Sequence, residues 1–167
     1  RVEDFDAALE LASTGTERLE TSIGRLEVEV AGRPFAEALD GYATFLQEHG
    51  RDSPPASEAC RAAFSRLLVA GGWDESEVER SCRDQTTHVR AEGLSDGAFA
   101  RLLLLPEERL PPDVRLALAR RLAQERRGGE AIPRLRRLCE LEGPEGSPAR
   151  TLAAEALDLY LEMVAGD

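Results

Sequence analysis

Residues 112–138, PDVRLALARRLAQERRGGEAIPRLRRL, decide the fold. Pro112 followed by Asp113 marks a helix start, because proline's fixed φ suits the first helical position and its missing N–H costs nothing there. Gly128-Gly129 ends that helix, and Glu130 opens a second that continues to Glu142. Two helices joined by so short a turn fold back on each other as an antiparallel hairpin. Working outward, Gly143-Pro144 breaks the chain again and Ser147-Pro148 opens a last helix to about Val164.

The same punctuation recurs upstream. Gly32-Arg33-Pro34 opens a helix ending at Gly50, with Phe35, Ala38, Leu39, Tyr42 and Phe45 on one face. Ser53-Pro54-Pro55 opens the next, which carries Cys60, Ala63, Phe64 and Leu67 and stops at Gly71-Gly72. Asp74 with Glu77 resembles a capping box before Val78, Cys82 and Val89, and this helix ends near Gly93. Ser95 opens a short helix to Leu105, closed by Pro106. The starts fall near 34, 54, 74, 95, 112, 130 and 148, a spacing of 17 to 21 residues. Taken in pairs, such helices have the period of an α-solenoid, in which each hairpin buries its apolar stripe by stacking on its neighbours. The predicted fold is therefore all-α: antiparallel hairpins stacked as a short solenoid over residues 34–167, preceded by a heptad-patterned segment over residues 1–33.

That segment carries Val2, Phe5, Leu9, Ala12, Thr16, Leu19, Ile23, Leu26 and Val30 at alternating steps of three and four, a heptad seam. It fits one long helix that pairs between chains, giving a homodimer through residues 2–30. It fits equally a helix that stops and restarts at Thr14-Gly15-Thr16, with Glu17 closing a capping box, and packs on its own chain. Glu20, Glu27 and Glu29 on the flanks would repel one another in a homodimer. The alternation Leu26-Glu27-Val28-Glu29-Val30 would also suit a strand, but no partner strand is in sight.

Composition agrees with helices and excludes several activities. Leu, Ala, Glu and Arg supply 91 of 167 residues, against eight Val and two Ile. At this length one domain is the default expectation, and roughly two-thirds of the unfolded surface can be buried without metals or disulfides. There is no Lys, so there is no Walker-type phosphate loop, Schiff-base nucleophile or protein-kinase lysine, and without Asn there is no N-glycosylation acceptor. The longest purely apolar run, Leu102–Leu105, is far below the roughly 20 residues of a membrane-spanning helix. Cys60, Cys82 and Cys139 form no C-x-x-C pair and only His49 and His88 accompany them, so neither a zinc site nor a cofactor is expected. The odd cysteine count points to a reducing compartment, and a cytoplasmic location is expected.

Asp113 to Leu122 resembles the first helix of a HEAT repeat, and Glu130-Ala131-Ile132-Pro133-Arg134-Leu135 with Arg136-Arg137-Leu138 resembles the second. Ala149 to Leu157 resembles the first helix of a following repeat, so the resemblance covers residues 112–165. The earlier hairpins lack these elements, and Phe35-Ala36-Glu37-Ala38-Leu39-Asp40-Gly41-Tyr42 is more similar to a tetratricopeptide repeat. The resemblance implies a scaffold for protein partners. Two enzyme types of this class lack support here: there are no His-Glu dipeptides for a di-iron site, and no evident basic groove for DNA repair.

Four features are candidates for function. Residues 109–137 hold nine Arg against Asp113, Glu125 and Glu130, a local charge of +6 within a chain of net −11. Arg120 and Arg127 lie seven apart and Arg134 and Arg137 three apart, so antiparallel packing would gather their guanidinium groups, with Arg121 beside them. Either they meet an acidic partner or they pair with Glu140, Glu142, Glu155, Asp158 and Glu162. The net acidity and eight aromatic residues disfavour nucleic acid. A hairpin about residue 72 brings Cys60 near Cys82, as buried thiols or as a candidate disulfide. Asp84, His88 and Glu92, four apart, align an acid, an imidazole and an acid, though they also describe an ordinary polar face. Trp73 at a hairpin tip either anchors a partner or packs on the adjoining turn. The expected function is a non-catalytic interaction or scaffold domain binding an acidic protein segment through Arg120, Arg121, Arg127, Arg134 and Arg137, with Trp73. The alternative is an oligomerisation module using the seam of residues 2–30.

Overall fold

A computed structural model describes residues 1–11, 14–51, 53–70 and 72–166, and the chain is all-α, with nine α-helices and no strand among the described residues. In order these are α1 (Val2–Leu11), α2 (Gly15–Val30), α3 (Phe35–Phe45), α4 (Pro54–Ala70) and α5 (Glu75–Glu92). They continue with α6 (Asp96–Leu104), α7 (Pro112–Gln124), α8 (Gly128–Cys139) and α9 (Pro148–Ala165). A π-turn, Leu46–Gly50, follows α3, and a 3-10 turn, Glu107–Arg109, precedes α7. Two compact units result, one of Arg1–Cys82 with Asp96–Leu104 and one of Arg83–Ser95 with Leu105–Asp167, so the first 33 residues share a unit with α3, α4 and α6.

The heptad segment is two helices. Thr14 Oγ1 accepts from the Glu17 N–H at 3.1 Å while Glu17 Oε2 accepts from the Thr14 N–H at 3.1 Å, the reciprocal pair that starts α2. Ala12, a seam position, lies outside the described residues. Downstream of the break, Ile23, Leu26 and Val30 are buried within the unit. Arg25 binds Asp6 at 2.6 Å, tying α2 back to α1. Gly41 of α3 lets the helix come close: a Cβ there would sit 3.2 Å from Val30 Cγ1 and 3.4 Å from Leu26 Cδ1.

Aromatic rings form the centre of the first unit. Phe35, Tyr42 and Phe64 are almost wholly buried, with Phe64 5.1 Å from Tyr42 and 5.9 Å from Phe35. Their placement follows from the predicted apolar faces of α3 and α4, on which each recurs at helical spacing. Burial also raises the Tyr42 hydroxyl pKa above its ordinary value.

In the second unit α7, α8 and α9 pack consecutively around Leu116, Ala119, Leu135, Leu138 and Ala156. Arg137, near the end of α8, meets Glu107, just before α7, so those two helices are antiparallel. Gly128 at the start of α8 lies 3.6 Å (as its added Cβ) from Met163 Cε near the end of α9, so that pair is antiparallel too. The turn between α7 and α8 differs from the sequence expectation. The left-handed residue that ends α7 is Arg126, at φ 58°, and not one of the glycines. Arg127 N–H donates to Leu122 O at 2.9 Å and Arg126 N–H to Ala123 O at 3.0 Å. These two bonds satisfy the last carbonyls of α7, and Gly128-Gly129 are thereby released to begin α8 two residues earlier than predicted.

Candidate functional site

Every one of the five arginines singled out in the sequence meets a carboxylate of its own chain. Arg120 Nη2 donates to Glu155 Oε2 at 2.6 Å, joining α7 to α9. Arg121 Nε donates to Glu125 at 2.8 Å, and Arg127 Nε donates to Glu130 at 2.8 Å. Arg137 Nη2 donates to Glu107 Oε2 at 3.0 Å. Arg134 has only 9% of its side chain exposed; its Nε lies 3.2 Å from the same Glu107 oxygen, and its Nη1 donates to Glu130 O at 2.9 Å. Of the acidic residues expected to serve as internal partners, only Glu155 does so among the described residues. Helical neighbours three or four positions away are closer for Arg121 and Arg127, and the 3-10 turn places Glu107 between Arg134 and Arg137.

The five therefore divide. Arg121, Arg127 and Arg134 are mostly covered, whereas Arg120 and Arg137 keep 51% and 58% of their side chains exposed. Beside them, Arg126 and Arg136 are also at the surface, and Arg136 sits over the Tyr160 ring at 5.8 Å. The basic segment lies in a unit with 12 Arg against 14 Asp and Glu, while the first unit has nine against 18. The acidity of the chain is thus concentrated in the first unit.

Trp73 is half-buried: its ring meets Phe35 edge-on at 5.2 Å and its Nε1 donates to Arg33 O at 3.0 Å. It is thus part of the aromatic core and not a lone exposed anchor. No disulfide joins Cys60 and Cys82, which stand as two buried thiols; this corrects the candidate bridge. Burial pushes the Cys60 thiol up to about 12. In native protein at pH 8, the half-buried Cys139 should react with iodoacetamide first, and Cys60 and Cys82 only after urea is added. Mass spectrometry of the alkylated peptides reads the order, and rapid native labelling of Cys60 would contradict its burial. His88 Nδ1 lies 3.7 Å from Glu92 while Asp84 is exposed, and no group of three metal-ligating side chains occurs among the described residues.

The helix that opens the decisive stretch has its own electrostatic clamp. Arg90 donates from Nε and Nη2 to both oxygens of Asp113, at 2.8 and 2.9 Å, the forked geometry that suits a guanidinium and a carboxylate. The hydrogen bond from Arg90 holds the Asp113 carboxyl below the usual carboxylate range. A depressed folded-state pKa adds stability above the unfolded pKa of about 3.9, and that stability is lost as pH falls through the folded value. Asp113→Asn should therefore be less stable than wild type at pH 7, and the gap should be narrower at pH 3. Urea midpoints at the two pH values measure this, and a constant gap would show that Asp113 is not the titrating group.

Two surface features had no clear signal in the sequence. Clefts of about 550 and 480 Å³ in the first unit share Ser22, Phe45 and His49, and His49 is carried there by the π-turn. On α9, Leu157, Leu161 and Val164 remain 45%, 54% and 48% exposed. Their steps of four and three were legible, but only the structure shows that the core uses the opposite side of that helix. Among the described residues no helix is long and apolar enough to cross a membrane.

No family model matches the chain, and neither does any curated protein or solved structure.

Proposed function

We propose that this chain is a non-catalytic protein-interaction domain of HEAT-like helical hairpins whose α7 and α8 arginines bind an acidic segment of a protein partner. The observation that carries this reading is the state of Arg120 and Arg137. Each is half exposed and held through Nη2 by a single carboxylate, which orients the guanidinium and leaves its other N–H donors for a second carboxylate. Arg121, Arg127 and Arg134 act behind them by fixing the helices that present the pair. Trp73 supports the first unit's core in this reading, and self-association through residues 2–30 plays no part, since Ile23, Leu26 and Val30 are already buried in their own unit. A cytoplasmic setting is in keeping with three cysteines outside disulfides.

Fluorescence anisotropy of a labelled Glu-rich peptide at low salt tests the reading. Saturable binding is expected, weakened at least tenfold by Arg120→Gln with Arg137→Gln and reduced by added salt. Equal binding by the double variant, with its helix content intact, would overturn it.

A further inference from the structure

The outer side of α9 is an exposed surface whose chemistry differs from that of the α7 and α8 arginines. The core takes one side of this helix, through Ala156 and the partly buried Leu152, Leu159, Tyr160 and Met163. Both flanks are occupied by the unit's own arginines, with Arg120 on Glu155 and Arg136 on Tyr160. Beyond the exposed Arg150 in its first turn, the remaining side is apolar: Leu157, Leu161 and Val164 fall within about 60° of one another on a helix and form a ridge about 10 Å long. Next to this ridge, on one edge, Asp158 and Glu162 are one turn apart and both exposed. Neither carboxylate forms an ion pair with any described residue, in contrast to Glu155 one turn before them.

We infer that the Leu157–Leu161–Val164 ridge binds an amphipathic helix of a partner protein that carries Arg or Lys along the edge facing Asp158 and Glu162. A straight ridge of this spacing matches the groove between side-chain rows of a second helix. The two unengaged carboxylates on a single edge set the charge of that helix and its orientation, because the opposite edge already holds the Arg136 guanidinium over Tyr160. The arrangement repeats what α7 and α8 do on the flanks, where each brings an arginine to a side chain of α9.

Three synthetic peptides provide the test: a helix with Leu at steps of three and four and Arg along one edge, the same helix with Glu at those edge positions, and a scrambled form of the first. The Arg-edged helix should bind at least tenfold more tightly than the other two at low salt. Leu161→Glu, at an exposed position, should abolish binding without loss of far-UV ellipticity, and Asp158→Lys with Glu162→Lys should transfer the preference to the Glu-edged helix. Arg137→Gln, whose partner is Glu107 and not a side chain of α9, should leave it unchanged while weakening the Glu-rich peptide, so this surface and the arginine face fail separately. Equal binding of the Arg- and Glu-edged helices, or binding that survives Leu161→Glu, would overturn the inference. So would sedimentation showing a dimer that Leu161→Glu dissociates, which would make a second copy the occupant.

Discussion

Phe64→Ala should lower the thermal midpoint reported by Trp73 fluorescence by roughly 12 °C or more. Phe64 is fully buried among three rings, and truncating a buried phenylalanine costs about 3–5 kcal/mol, from lost transfer energy and from the cavity left behind. For a unit of this size each kcal/mol moves the midpoint by roughly 4–8 °C. The chain's single tryptophan lies in the same unit, with ring centroids 6.3 Å apart, so the probe reports the packing that the substitution removes. Phe64→Leu, which keeps most of the volume, should lose much less. A shift below about 4 °C for the alanine variant would mean that the aromatic cluster is not enclosed.

The second large effect belongs to Glu107. Its side chain is 16% exposed and one of its oxygens is shared by Arg134 and Arg137. The other oxygen is buried without a hydrogen-bond partner. Glu107→Ala removes a carboxylate from beside the covered Arg134 guanidinium, and removing one member of such a pair costs about 3 kcal/mol. The exposed Arg137 arm adds little to that figure. Replacing both members, Glu107→Leu with Arg134→Met, should return stability to within about 1 kcal/mol of wild type, because the apolar pair carries no desolvation penalty. Urea unfolding followed by far-UV circular dichroism measures all three proteins. If Glu107→Ala falls within about 0.5 kcal/mol of wild type, the pair is solvated and does not hold α8 to the turn before α7.

Much of the helical order was legible because proline and glycine punctuate it. Pro54, Pro112 and Pro148 each stand at the first residue of the helix that they were expected to open, and α3, α5 and α6 begin within one residue of the predicted starts. The exception, α8, shows what local signals leave out. Either Arg126 or Gly128-Gly129 could supply the residue that reverses the chain, and the choice depends on the two hydrogen bonds back to Leu122 and Ala123. The candidate site was less legible. Sequence located the arginines and their charge, but long side chains reach several carboxylates, so partner choice depends on positions that spacing does not give. Glu107 is the clearest case, since it lies outside the helices on which the arginines were counted. Trp73 likewise could be read as packing on the adjoining turn or as facing a partner, and its contact with Phe35 supports the packed reading. The α9 ridge was hidden because a helix with apolar residues on two sides does not declare which side the core has taken.

We propose Arg120 and Arg137, held by Glu155 and Glu107, as the acid-binding arginines of the second unit. This assignment is tested most directly by backbone amide NMR during titration with the Glu-rich peptide. Shifts should concentrate in α7 and α8 around Arg120 and Arg137 and fade as salt is raised. Shifts confined to α1 and α2, or an unchanged spectrum at saturating peptide, would contradict it.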